Sequence, residues 1–156
     1  MKARSLFTAV ASVAVLAVSL YAAEEIKLDG IKCIMNPKAA AKAEKSVDYK
    51  GGQVFFCCDN CPKGFAKKIE AGDKLVAAKG NAQLVSTGQA KQASCPFSGG
   101  PAKEGTEVTV AGASVKFCCN NCQAKANKLE GDDQLLAVLG DDAFKKAGFK
   151  VGADKE

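Results

Sequence analysis

The chain has 156 residues, eight cysteines and no histidine, and its 22 basic against 17 acidic side chains give a formal charge of +5. Without histidine it lacks the commonest general base and the imidazole ligand, so any metal ion must be held by sulfur or oxygen. Arg4 is its single arginine, and with no further guanidinium fork for phosphates or base edges, nucleic acid is not an expected partner.

In chain order, Met1-Lys2-Ala3-Arg4 leads into an apolar run from Leu6 to Leu20 that ends in small residues at Ala22 and Ala23. This is the pattern of a secretory signal peptide and predicts a leader over 1–22, with export to a periplasmic or extracellular location. Cleavage after Ser19 competes with cleavage after Ala22 or Ala23, and the second is favoured. No other apolar run of about 20 residues follows, so no membrane span is expected once the leader is removed.

After an N-terminal segment over 23–32, one unit is written twice. Cys33, Cys57, Cys58 and Cys61 recur as Cys95, Cys118, Cys119 and Cys122 at offsets of 62, 61, 61 and 61, which uses every cysteine. Around them Val54-Phe55-Phe56 matches Val115-Lys116-Phe117, Leu75 matches Leu135 and Gly80 matches Gly140. The first module covers 33–85 and the second 95–156. Between them the polar stretch 86–94 reads as a linker.

Within the first module, Val47 and Tyr49 alternate with polar residues, Gly51-Gly52 supplies a turn, and Val54 and Phe56 continue the alternation, which predicts a β-hairpin. The second module repeats it with Val108, Val110, Val115 and Phe117 on one face and Gly112 in the turn. Helical spacing follows from Pro62 to Glu70, with proline at the first helical position. Short helices are expected at Lys74 to Lys79 and Gln134 to Leu139, then a last one from Asp141 to Ala147 with a weaker counterpart at Asn81 to Val85. The fold class is therefore α+β, two tandem modules each built from a hairpin and short helices around a cysteine knuckle. A unit of about 60 residues has too little core to be secure alone, and the cysteines are the obvious staple.

Each module reads C-x22/23-C-C-x2-C, with the cluster placed where the second hairpin strand hands over to a helix. Closely spaced cysteines at a tight turn can put two sulfurs on one soft ion, and a distant third or fourth can complete a trigonal or tetrahedral shell. If the helices begin just after Cys61 and Cys122, their free amides point at those two sulfurs and favour thiolate there.

The pattern of Cys33, Phe56-Cys57-Cys58-Asp59-Asn60-Cys61 and its second copy, Cys95-Pro96 with Gly99-Gly100-Pro101 and then Val115-Lys116-Phe117-Cys118-Cys119, resembles the TRASH/YHS superfamily of small heavy-metal-binding modules. The resemblance runs from Cys33 to Phe65 and from Cys95 to Lys128. It implies trafficking, resistance or sensing of heavy metals, with Cys33, Cys57 and Cys61, and Cys95, Cys118 and Cys122, as ligands. Cys58 and Cys119 are additional to that pattern, as fourth ligands or as replacements for Cys57 and Cys118.

Zinc or copper(I) is the expected ion at these eight cysteines, and a metal-transport or resistance protein the expected partner. Two other readings stand beside it. An even cysteine count in an exported chain also suits structural disulfides, with Cys57 and Cys58 paired to partners such as Cys33 and Cys61. Exchanging thiols at Cys58/Cys61 and Cys119/Cys122 would make a redox protein instead. No enzyme is expected. Met35 reads as packing more than as a thioether ligand, Gly99-Gly100 as a turn, Phe56 and Phe117 as core, and the acid pairs Asp132-Asp133 and Asp141-Asp142 as helix starts.

Overall fold

The computed structural model describes residues 26–152, and the leader predicted over 1–22 lies outside them. In the first half, strands β1 (Lys42–Tyr49) and β2 (Gly52–Phe56) form an antiparallel hairpin, followed by helices α1 (Asn60–Glu70) and α2 (Lys74–Ser86). The second half repeats the order with β4 (Lys103–Val110), β5 (Ala113–Phe117), α3 (Asn120–Asn127), α4 (Gly131–Leu139) and α5 (Asp141–Lys146). Short strands β3 (Ala90–Lys91) and β6 (Lys150–Val151) pair antiparallel with each other. The class is α+β, and none of the helices among the described residues is long and apolar enough to cross a membrane.

Both hairpins close through two-residue loops with positive φ at each central residue, Lys50 (+51°) and Gly51 (+87°) in one and Ala111 (+49°) and Gly112 (+83°) in the other. This is the loop whose twist matches that of the flanking strands. The first loop lies one residue earlier than the Gly51-Gly52 turn expected from sequence. Gly52 instead opens β2, and a Cβ there would stand 2.8 Å from both Leu84 and Val151, so that glycine permits close packing and does not shape the turn.

Several helix boundaries also differ from expectation, and α4, expected from Gln134, starts at Gly131. The helix expected from Pro62 starts two residues earlier, at Asn60. The segments expected at 74–79 and 81–85 are one helix, α2, which runs through Gly80; a Cβ there would stand 2.8 Å from the Tyr49 ring, so the position is held small by packing. At the matching position of the second half, Gly140 takes extended backbone (ψ 161°) and separates α4 from α5. The stretch 86–94, read as linker, contributes Ser86 to α2 and carries β3.

The core joins both halves. Val54, Phe56 and Leu84 from the first and Val110, Val115, Phe117, Val138 and Leu139 from the second are fully buried, and α2 packs on α4. A two-stranded sheet leaves backbone groups unpaired along its outer edge, and buried ones must find partners. Glutamine amides supply them. Gln89 donates to Gln53 O and accepts from Gln53 N (both 2.7 Å), Gln83 does the same for Phe55, and Gln92 does it for Lys116.

A polar cluster ties the halves together. Asn81, fully buried on α2, donates to Leu139 O and to Asp141 Oδ1, both at 2.9 Å, and accepts from the Lys50 ammonium at 2.9 Å. Lys50 also pairs with Asp141 at 2.6 Å, with its ammonium over the Tyr49 and Phe144 rings.

Two candidate metal centres

The fold brings each distant cysteine to its cluster by one route. Phe56 and Phe117, fully buried at the ends of β2 and β5, fix the strand ends from which Cys57 and Cys118 emerge. The first turns of α1 and α3 then carry Cys61 and Cys122 back over them. Cys33 and Cys95 sit in tight loops. One is closed by Cys33 N–H donating to Ala39 O at 3.0 Å, the other by Cys95 N–H donating to Gly100 O at 2.7 Å.

The Sγ atoms of Cys33, Cys57 and Cys61 lie within 4.8 Å of one another, and so do those of Cys95, Cys118 and Cys122. Each triad has one buried sulfur and two partly buried ones. Cys57 and Cys61 stand 3.7 Å apart, and so do Cys118 and Cys122. With metal–sulfur bonds of about 2.3 Å, neighbouring thiolates of a tetrahedral zinc shell stand about 3.8 Å apart. The donor set therefore suits a soft or borderline ion, and each triad could hold one.

Cys58 and Cys119 fall outside the mutual triads. Cys58 is exposed, with its sulfur 3.3 Å from Cys61, and Cys119 is partly buried, 3.7 Å from Cys118. None of the eight is disulfide-bonded in this structure. Met35 packs against the core, as expected. In its place in the second half, Phe97 stacks obliquely on Phe117 with ring centroids 5.4 Å apart, and the Lys125 ammonium lies over the Phe97 ring, 4.9 Å from its centroid. Gly99-Gly100 is a turn, with Gly99 at φ +74°. The acid pairs Asp132-Asp133 and Asp141-Asp142 lie in the first turns of α4 and α5. Beside Cys118 and Cys119 a shallow groove of about 460 Å³, lined also by Lys103, Thr106 and Asn121, gives the second centre an open approach.

The distribution of protons differs from the sequence expectation. Sequence spacing predicts thiolates at Cys61 and Cys122, on the premise that the helices start after them. They start before them, at Asn60 and Asn120, so the free amides of the first turn reach other sulfurs. Cys58 is lowered to about 7 by its contact with Cys61 and by the amides of Cys61 and Asn60. Cys119, at the N-cap of α3, is lowered by the Cys122 amide first and then by Cys118. Burial pushes Cys61 up and Cys122 up to about 12, and hydrogen bonding with the neighbouring sulfurs adds to the rise.

The buried sulfurs carry a second set of amides that sequence reading missed. Burial opposes ionisation at Cys33, yet the amides of Cys57, Asn36 and Met35 outweigh it and hold that thiol low. At Cys95 burial is again overcome, by the amide and hydroxyl of Ser98 and the amides of Cys118 and Phe97, which bring it down to about 6. The signal available in the sequence was the pair of turn-forming stretches Asn36-Pro37 and Ser98-Gly99-Gly100, each a few residues after a cysteine.

No family model matches the chain, and neither a curated protein nor a solved structure matches it.

Proposed function

We propose that this is an exported protein that holds one soft or borderline ion, zinc or copper(I), at each of two thiolate centres, for buffering, trafficking or resistance outside the cytoplasm. The observation that carries the reading is the convergence of Cys33, Cys57 and Cys61, and of Cys95, Cys118 and Cys122, into two sulfur triads of the same design. Hydrogen bonds from loop and helix-start amides support it, because they stabilise sulfur as an anion before any ion arrives. The resemblance of the cysteine pattern to TRASH/YHS modules points the same way, and the basic, apolar start of the chain supports export. The partner of such a protein is a metal-transport or resistance protein. We assign it no catalytic role, since sulfur chemistry is the only chemistry these clusters offer.

Elemental analysis of the protein purified anaerobically without added metal, paired with thiol counts before and after chelation, tests the reading. Close to two equivalents of zinc or copper, with thiols released only on chelation, is the expected result. No metal and no titratable thiols in the unfolded chain would sink it and leave a disulfide-stapled scaffold.

A further inference from the structure

The two centres repeat the same sulfurs but not the same surroundings. Ser98 Oγ lies 3.1 Å from Cys118 Sγ and accepts the Gly100 N–H at 3.1 Å. With its oxygen engaged by that amide, the hydroxyl proton points at the sulfurs of the second centre, Cys118 at 3.1 Å and also Cys95, whose thiol it helps hold low. A cysteine that ligates a metal has no proton of its own, so in the loaded centre Ser98 is the donor and Cys118 the acceptor. The turn that holds Ser98 is fixed by Gly99 N–H donating to Cys95 O at 2.8 Å and by Cys95 N–H donating to Gly100 O. At the corresponding position of the first half stands Asn36, whose side-chain oxygen accepts from the Lys38 N–H at 3.3 Å. That loop has one residue more before its cluster, 23 against 22.

We propose that Ser98 is a positioning residue for the second centre, and that its hydrogen bond to Cys118 makes this the tighter of the two, so that the chain fills from its second half first. This rests on the reading of the triads as metal centres. Three thiolates crowd negative charge around one divalent ion, and a hydroxyl dipole aimed at one of them relieves that crowding and fixes the sulfur's orientation. Losing such an outer partner costs about 10- to 100-fold in metal affinity, and because Ser98 is exposed to competing water the effect belongs at the lower end, about tenfold. The preference serves a buffering or delivery protein directly, because it gives one chain a retaining site and a site that empties first.

Titration of the reduced two-module chain with cadmium-113, followed by NMR, reads the two centres as separate resonances. Couplings to the Cys118 β-protons identify the second. That resonance is expected to appear first as the ion is added. In Ser98→Ala it should change its chemical shift and lose about tenfold in preference, while Ser98→Thr, which keeps the hydroxyl, should restore both. The resonance of the first centre, unmoved, reports that the variant chain is intact. Two resonances that grow together in the unaltered protein, or a filling order and shift untouched by Ser98→Ala, would overturn the assignment. Fewer than two ions held by the unaltered protein would instead remove the parent reading, and this one with it.

Discussion

Replacing Asn81 with alanine tests whether the two halves stand or fall together. The side chain is fully buried and makes three hydrogen bonds, all across or beside the junction of the halves. The bond to Leu139 O matters most. Leu139 is itself fully buried, so its carbonyl would lose its side-chain donor out of reach of water, at a cost of about 1–3 kcal/mol. The bonds to Lys50 and Asp141 lie nearer the surface, where Asp141 is 60% exposed, and water replaces them for about 0.5 kcal/mol each. Removing the amide also leaves a small void beside Leu139. The loss comes to about 3 kcal/mol, which for a domain of this size lowers Tm by about 10 °C. Calorimetry on the parent is expected to show one transition. In the variant that transition should fall by this amount and broaden as the halves uncouple. A variant within about 2 °C of the parent, still melting as one sharp unit, would refute the claim that this cluster joins them.

Three other outcomes follow from the same geometry. Cys57 and Cys61 in the first centre and Cys122 in the second are pushed up, with burial as the main cause in each, so they carry protons at neutral pH that an arriving ion must displace. Metal affinity should therefore rise with pH by about tenfold per unit for each proton released, and calorimetric titration in buffers of different ionisation heat should find protons released at both centres; zero release would contradict the assignment. Gly80→Ala places a methyl 2.8 Å from the Tyr49 ring, which packs T-shaped with Phe65 at a centroid distance of 5.3 Å, and overpacking of about 1–3 kcal/mol should outweigh about 1 kcal/mol of helix propensity, so chemical denaturation should show a net loss. In Asn81→Asp two carboxylates face each other, and the deficit against the parent in denaturation curves should shrink as pH falls from about 7 to about 3, because the introduced carboxyl, once protonated, can donate to Leu139 O or Asp141; a deficit constant across that range would show that charge is not the cause.

The repeat and the identity of its sulfurs were legible because cysteine spacing is local and all eight residues are accounted for. The hairpins were legible for the same reason, from alternation at Val47, Tyr49, Val54 and Phe56 and their copies. What stayed hidden depends on distance along the chain. Nothing near Lys50 in sequence announces Asn81 or Asp141, and nothing in a run of polar residues announces that Gln89 and Gln92 will occupy strand edges. The order of the thiol pKa values turned on a two-residue question, whether a helix starts before or after Cys61, which sits inside the ordinary uncertainty of helix boundaries. An amide aimed at Cys58 cannot also be aimed at Cys61, so that small shift exchanges which sulfur carries the charge.

The two copies differ most usefully where they touch each other. Asn81 and Asp141 each follow the matching glycines Gly80 and Gly140, and they meet side chain to side chain at 2.9 Å. The halves also meet through β3 and β6, which pair Ala90 with Val151 and Lys91 with Lys150. A like pair would serve poorly at positions 81 and 141. Two aspartates would repel at that distance, and two asparagines would leave the Lys50 ammonium without its carboxylate. One amide and one acid satisfy the buried carbonyl, the ammonium and each other together. The position matching Lys50 in the second half is Ala111, so one cation serves the junction and no second one competes for Asp141 from that loop. The same logic separates Asn36 from Ser98 beside the sulfurs. In both places the repeat keeps the backbone position and changes the side chain, so that each half meets a different set of polar partners.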